Sequence, residues 1–313
     1  MSESTSTASR ASAPPPRPAP AKESPRSRRT DPVYYLFLFP ALIVFSLAIT
    51  LPAVLGFGYS FTNSIGFGEW RFIGVRNYIA AFRDEGIVSA YAFTLGFALV
   101  TVIVTNAIAF FLALGLTAKI RLQRTLRTVF VLPMVISGII IAYVFKFLFS
   151  NTVPAIAQSL GIDVLSESIL ANENLAWIAL VIVHAWSTIP PALLIYIAGL
   201  VTVPEDVYEA ASIDGASPAG KLWHITLPLV SGYVVINTIL GFKGYLNAYD
   251  IVVGLTDGGP GVATRTVAMS IIRGFEGGDF GYQMANAAVF FIISIVIAVL
   301  QLRLTRGKAS FGS

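Results

Sequence analysis

Between two long apolar runs, the segment from 203 to 215 gathers Glu205, Asp206, Glu209 and Asp214 around the adjacent Ala210 and Ala211, and ends on Gly215. These residue types suit a docking joint rather than a reaction centre. Glu209 offers an anion to a basic residue on a partner, and the two alanines leave room for that partner's backbone. Pro204 suits a first helical position, Glu205 and Asp206 complement the positive helix start, and Gly215 supplies a left-handed stop. A second helix opens with Ser217 as cap and Pro218 in its first turn. Residues 203–228 are therefore predicted to form a helical hairpin.

Other chemistry is absent. Gly215-Ala216-Ser217-Pro218-Ala219-Gly220-Lys221-Leu222 nearly matches a phosphate-binding loop, but Leu222 replaces the Mg²⁺-binding hydroxyl and no strand is predicted ahead of it. His184 and His224, the only histidines, lack the local spacing of a zinc helix and read as satisfied structural residues. With no cysteine there is no thiolate ligand, disulfide or cysteine nucleophile. No serine elbow and no carboxylate pair stands in an apolar run, so no catalytic residue, metal or cofactor is expected. A net charge of +4 is accounted for by loop and tail residues and does not call for nucleic acid.

The elements that carry the hairpin are membrane spans. Hydrophobic residues make up 55% of the chain and charged residues 12%, and the mean hydropathy is +0.74, well outside the range of soluble domains. A bilayer core of about 30 Å takes roughly 20 helical residues. Six runs qualify: 33–59, 91–117, 129–149, 176–200, 229–253 and 285–304. Lys119, Arg121, Arg124 and Arg127, then Lys221, then Arg303, Arg306 and Lys308 fall on one side of that arrangement. The segment 150–175 carries Asp163, Glu167 and Glu173 without a Lys or Arg. Short cytoplasmic loops retain Lys and Arg, so six spans with both termini cytoplasmic is the expected topology, and the hairpin is cytoplasmic. Residues 1–31 read as a disordered cytoplasmic tail whose Arg26, Arg28 and Arg29 hold the first helix near anionic lipid. The first run is too long for a signal core and reads as a retained anchor. Residues 32–306 form the membrane domain and 307–313 a second cytoplasmic tail.

Glu209-Ala210-Ala211, then Gly215, then Ile225-Thr226-Leu227-Pro228 resembles the coupling loop in permease subunits of ATP-binding-cassette importers. The flanks extend the likeness. Phe72-Ile73-Gly74-Val75-Arg76-Asn77-Tyr78, Leu255-Thr256-Asp257-Gly258-Gly259-Pro260 with Thr264, and Asp279-Phe280-Gly281-Tyr282 are similar to segments of bacterial sugar-type permeases, those for maltose and glycerol phosphate among them. The resemblance covers nearly everything from 33 to 306. It implies an all-α membrane protein with the type I importer permease fold and a cytoplasmic coupling helix. Glu209, Ala210, Ala211, Asp214 and Gly215 would meet the ATPase. The implied partners are a second permease, two ATPase subunits, an extracytoplasmic solute-binding protein and a sugar, all at the bacterial cytoplasmic membrane. The chain itself would not be an enzyme. A self-sufficient carrier or channel is the competing function, and it would need ion-coupling carboxylates or an inverted repeat that do not stand out.

Depth arithmetic at about 1.5 Å per residue puts Ser187 and Thr188 of the fourth run level with Tyr245 of the fifth. Pro190-Pro191 are expected to break the fourth helix there and free backbone polar groups. Phe242, Tyr245, Leu246 and Tyr249 share one face of the fifth at i, i+3, i+4, i+7 spacing. By similarity to the maltose permease these two patches, Ser187 and Thr188 with Phe242, Tyr245, Leu246 and Tyr249, would touch the solute; plain helix packing is the competing account. Lys243 points to a polar cavity or to the second permease, because an ionisable group inside a span is costly unless paired or wet. Asp250 is expected to reach the outer headgroups. Lys146 is expected near an outer helix end, snorkelling.

Overall fold

The structure, a computed structural model, describes residues 32–118, 121 and 123–305. Both expected tails, with Arg26, Arg28, Arg29 and Lys308, as well as Lys119 and Arg306, lie outside the described residues. The chain divides into a unit of residues 1–52 and a larger one of residues 53–313. Helix α1 (Tyr35–Tyr59) is apolar along its whole length and contains a π turn at Ser46–Thr50, where the Leu51 N–H bonds to the Ser46 carbonyl. Pro52, which has no N–H to donate, follows at once.

The larger unit continues with α2 (Arg76–Arg83), α3 (Glu85–Thr117), α4 (Gln123–Val131), α5 (Gly138–Leu160), α6 (Ala176–Val201), α7 (Glu205–Ile213), α8 (Pro218–Leu229), α9 (Ser231–Leu246), α10 (Asp250–Leu255), α11 (Val267–Glu276) and α12 (Phe280–Thr305). Among the described residues the only β pairing is an isolated bridge between Thr62 and Phe72. Five helices are long and apolar enough to cross a membrane, and α8 with α9, bent by 65° at their junction, brings the number to six where the bent pair is counted as one span.

Helices α3 and α6 form the most extensive pair. Phe97, Ala98 and Val102 of α3 pack with Leu180 and Val183 of α6, and α9 and α10 close that core with Tyr245, Leu246, Val252 and Leu255. Toward the other end of α6, Phe110, Leu116, Leu193, Tyr196 and Val230 form a second cluster. Polar ties cross the apolar contacts: the Tyr196 hydroxyl donates to Asn106 Oδ1 at 2.5 Å, and Asn237 Nδ2 donates to the Ala192 carbonyl at 3.0 Å. In a bilayer the hydrophobic effect does not draw helices together, so such bonds and close packing do.

Several expected boundaries move. The third span was expected at 129–149, but the backbone tightens to a 3-10 turn at Leu132–Val135 around Pro133, turns extended at Ile136 and Ser137, and resumes as α5. Lys146 therefore sits in the interior of an exposed helix face rather than at an outer end. The second span starts earlier than expected, at Glu85, because the Asp84 carboxylate caps the N–H groups of Gly86 and Ile87. The fourth does not break at Pro190-Pro191: α6 runs through both prolines, which deprive the Trp186 and Ser187 carbonyls of their helical donors without ending the helix. The fifth, expected as one helix over 229–253, is interrupted twice. It bends at Val230, and it stops at Leu246 and restarts at Asp250. At the second interruption the Thr266 hydroxyl donates to the Ala248 carbonyl at 2.9 Å, and Asn247 Nδ2 bonds back to the Lys243 carbonyl at 2.9 Å. These bonds satisfy backbone groups that a straight helix would have paired.

Close packing of α10 on α5 gives a direct test. A side chain at Gly254 would start 2.6 Å from the Ala142 methyl group and 3.0 Å from Ile139 Cδ1. Gly254→Val is expected to cost about 1–3 kcal/mol through overpacking and to lower the thermal midpoint of the purified protein in detergent. Gly96→Ala, in a helix with nothing close to the added methyl group, is expected to hold or raise it.

Candidate functional site

The hairpin forms as a helix, a turn and a second helix. Pro204 occupies the N-cap with φ −61° and ψ 137°, one place before the expected first helical position, so Glu205 opens α7. The proline contributes its fixed φ from outside the helix. At the other end Gly215 takes φ +77°, the Ala216 N–H reaches back to the Ala211 carbonyl at 2.9 Å, and the Gly215 N–H reaches Ser212 at 3.2 Å. That pair of bonds is a Schellman cap, and it needs a residue that tolerates positive φ. Ser217 Oγ accepts from the Gly220 N–H at 3.1 Å and starts α8. The near-match to a phosphate loop is thus spent on a helix cap and a first helical turn.

Two side-chain bonds fix the arms to each other. Tyr208 and Thr226 share a hydroxyl hydrogen bond at 2.9 Å, and Lys221 Nζ donates to Ser212 Oγ at 2.5 Å. His224 adds a local bond between Nδ1 and the Gly220 carbonyl at 3.0 Å. Glu209, Ala210, Asp214 and Gly215 are exposed and Ala211 is half-buried. The Glu209 carboxylate enters no hydrogen bond or ion pair among the described residues. The hairpin also carries two large apolar side chains that sequence reasoning passed over: Ile213 is 87% exposed and Trp223 67%. Their signal was present, since a bare isoleucine and tryptophan in a segment placed outside the bilayer mark a contact surface.

The second candidate site lies between α3, α6 and α9. Thr188 Oγ1 and the Tyr245 hydroxyl are 2.8 Å apart, and the Tyr245 hydroxyl donates to Thr105 Oγ1 at 2.9 Å. Ser187 donates to the His184 carbonyl at 2.9 Å, and Thr188 Oγ1, 2.7 Å from the same carbonyl, shares its one proton between it and Tyr245. The Tyr245 ring stands edge-on to His184 and to Phe97, with centroids 5.4 and 6.5 Å away. The depth estimate therefore brings Thr188 and Tyr245 into contact, yet Tyr245 is only 1% exposed and Leu246 3%. Phe242 and Tyr249 are half-buried against the same core. Tyr249 does not continue the Phe242 stripe, because it lies in the break before α10.

Thr105 and His184 stand at Tyr245 although neither was among the sequence-predicted site residues, and Thr101 lies one turn from Thr105 on α3. The threonines at 94, 101 and 105 form one buried face of α3, a polar row inside an apolar run. The expectation of a satisfied His184 fails in part, since His184 Nδ1 and Thr101 Oγ1 are buried with no hydrogen-bond partner among the described residues. The cluster holds hydroxyls, an imidazole and aromatic rings but no carboxylate. Its chemistry is hydrogen bonding and stacking. No group of His, Asp and Glu among the described residues is arranged to hold a metal ion.

Residues 105–309 match the family model of the binding-protein-dependent transport system inner membrane component. The chain belongs to that family. This inner membrane component is 31% identical over 274 residues to the multiple sugar-binding transport system permease protein MsmF of Streptococcus mutans, covering 87% of this chain and 94% of that one. It is 30% identical to the probable starch degradation products transport system permease protein AmyD of Thermoanaerobacterium thermosulfurigenes, over 88% and 94% of the two chains. A permease-fold chain from a bacterial alginate ABC transporter, crystallised with an alginate pentasaccharide-bound periplasmic protein, superposes with a TM-score of 0.78 over 90% of this chain and 96% of that one, at 19% identity. The transport component is thus an all-α, multi-pass membrane protein of the ABC importer permease class.

Tyr245→Phe in this permease removes the bridge between Thr105 and Thr188 and keeps the ring. It is expected to cost about 0.5–1.5 kcal/mol, whereas Tyr245→Ala, which also opens a cavity, is expected to cost about 3–5 kcal/mol. Thermal unfolding of the purified complex followed by fluorescence measures both.

Proposed function

We propose that this chain is one permease of an ATP-driven importer that carries a sugar into the cell, and that the Glu209 hairpin is its joint with a separate ATPase. The observation that supports this reading best is the hairpin: a braced, capped unit that exposes a free carboxylate, an isoleucine and a tryptophan. The sugar assignment draws on the relatives named for multiple sugars and starch degradation products, with the sn-glycerol-3-phosphate permease UgpA of Yersinia pestis, 28% identical, as a neighbouring solute class. In this reading residues 32–306 form the permease domain, both termini are cytoplasmic, a second permease completes the membrane pore, two ATPase subunits sit beneath, and an extracytoplasmic protein delivers the solute.

Closure of the ATPase pair on ATP would draw the hairpins together and switch the spans from inward to outward facing. Opening of the cluster between α3, α6 and α9 would then expose Ser187, Thr188, Phe242, Tyr245, Leu246 and Tyr249. His184 Nδ1 and Thr101 Oγ1, unpaired in the closed arrangement, would gain partners from a hydroxyl-rich solute.

Glu209→Lys and Gly215→Pro are expected to insert normally and to abolish coupled uptake, one by inverting the charge offered to the ATPase and the other by breaking the turn. Uptake and ATPase co-purification from membranes test this, and wild-type uptake at normal protein levels by either variant refutes the coupling role. Orientation has its own test in a chain without cysteine. Ser168→Cys is expected to react with an impermeant maleimide on intact cells, and Ser217→Cys only after lysis.

A further inference from the structure

Helix α9 presents an exposed stripe of Ile236, Leu240, Lys243 and Gly244, continued by Asn247 at its C-cap. Its first two members are apolar and its last three are not. At 1.5 Å per residue Lys243 lies about 18 Å along α9 from Ser231, well inside a hydrocarbon core of about 30 Å. Helical side chains tilt toward the N-terminus, which keeps the ammonium group near mid-depth and away from both headgroup layers. Among the described residues no acidic side chain pairs with it; Asp250, the next carboxylate in sequence, lies beyond the break at Asn247.

The surroundings of Lys243 are built as an opening. A mostly apolar groove of about 200 Å³ runs beside it, walled by Ile239, Phe242 and Leu246 of α9, by Asn247 just past its end, and by Phe291 and Ser294 of α12. Gly244 next to it carries no side chain, and nothing lies within 4 Å of where a Cβ would stand. Asn247 Nδ2 donates to the Lys243 carbonyl at 2.9 Å, which holds the amide one turn from the ammonium. A lysine at this depth facing lipid is strongly disfavoured. A dry protein interface would have to supply fixed acceptors for its three donors, while water in a solute path supplies them whenever the path is empty.

We propose that Lys243 and Asn247 line the solute path, and that the solute they take carries an anionic group, a carboxylate or a phosphate. This rests on the importer reading above and adds to it the charge class of the cargo. The stripe adjoins the buried Tyr245 cluster, with Phe242 and Leu246 lining the groove on one side and packing with that core on the other. Phe291 at the groove wall offers an apolar surface to the uncharged side of a sugar ring, and the ammonium fixes the charged end.

The test uses the assembled importer with its binding protein in proteoliposomes. Lys243→Cys, the sole cysteine of this chain, is expected to react with a charged, water-soluble thiol reagent, and more slowly with transported solute present. Absence of reaction places position 243 against lipid or partner and overturns the proposal. Uptake of a hexuronate, a sugar phosphate and neutral mono- and disaccharides is then compared. A hexuronate alone identifies a carboxylate, a sugar phosphate alone a phosphate, and either is expected to fall about ten- to a hundredfold in Lys243→Gln and to be largely retained in Lys243→Arg. Uptake of neutral sugars only, or dissociation of the Lys243→Gln complex in detergent, overturns the proposal while leaving the importer reading intact. Failure of the wild-type complex to take up any solute in an ATP-dependent way overturns the importer reading, and this inference with it.

Discussion

The Tyr245 hydroxyl, held between Thr105 and Thr188, joins α3, α6 and α9 within the larger apolar core. Every backbone polar group inside a bilayer must find a protein partner or water, and the same demand applies to a phenol. Once Tyr245 is satisfied by two threonines, its ring is fixed edge-on to His184 and Phe97, and these rings set the spacing of the three helices. The packing around them is dense enough that His184 Nδ1 and Thr101 Oγ1 remain unpaired beside it. An arrangement that leaves two buried polar atoms unsatisfied carries a cost.

Movement at the hairpin has a short route to that cluster. The second arm, α8, runs to Leu229, and after the 65° bend at Val230 the chain continues as α9, which carries Tyr245. Val230 is fully buried with Leu193 and Tyr196 of α6, and Gly199 of α6 lies so close against the Tyr233 ring that a Cβ there would overlap it. The hairpin is therefore bonded at one end to α6 and at the other to α9, the two helices that supply Thr188 and Tyr245. Its own arms are locked by Tyr208 with Thr226 and by Ser212 with Lys221. A braced unit transmits displacement where a flexible loop would absorb it.

Helix interruptions do the opposite work, adapting the spans locally. At Asn247–Tyr249 the break is tolerated because Thr266, far along the chain, reaches the Ala248 carbonyl. At Pro190 and Pro191 no break occurs, because packing on α3 keeps α6 straight enough to continue through two missing donors. Neighbours decide whether a span stops or continues.

Composition and periodicity by themselves determined that this is a helical membrane protein, and the capping residues Pro204, Ser217 and Gly215 determined a hairpin between its fourth and fifth runs, because these are local properties of charge, hydropathy and backbone preference. That Glu209 and Ala210 are exposed was legible for the same reason: they sit on a short element whose surface follows from its own sequence. Tertiary structure alone decided that Tyr245 is enclosed and Lys243 exposed on the same helix, that Tyr249 leaves the stripe, and that Thr101, Thr105 and His184 join Thr188. Those outcomes depend on which face of α9 meets α3 and α6 and on where a distant threonine finds a carbonyl. An apolar helix with little amphipathic contrast does not announce its buried side, since lipid and protein interior ask for the same residues, so only contact with the neighbouring helices assigns it.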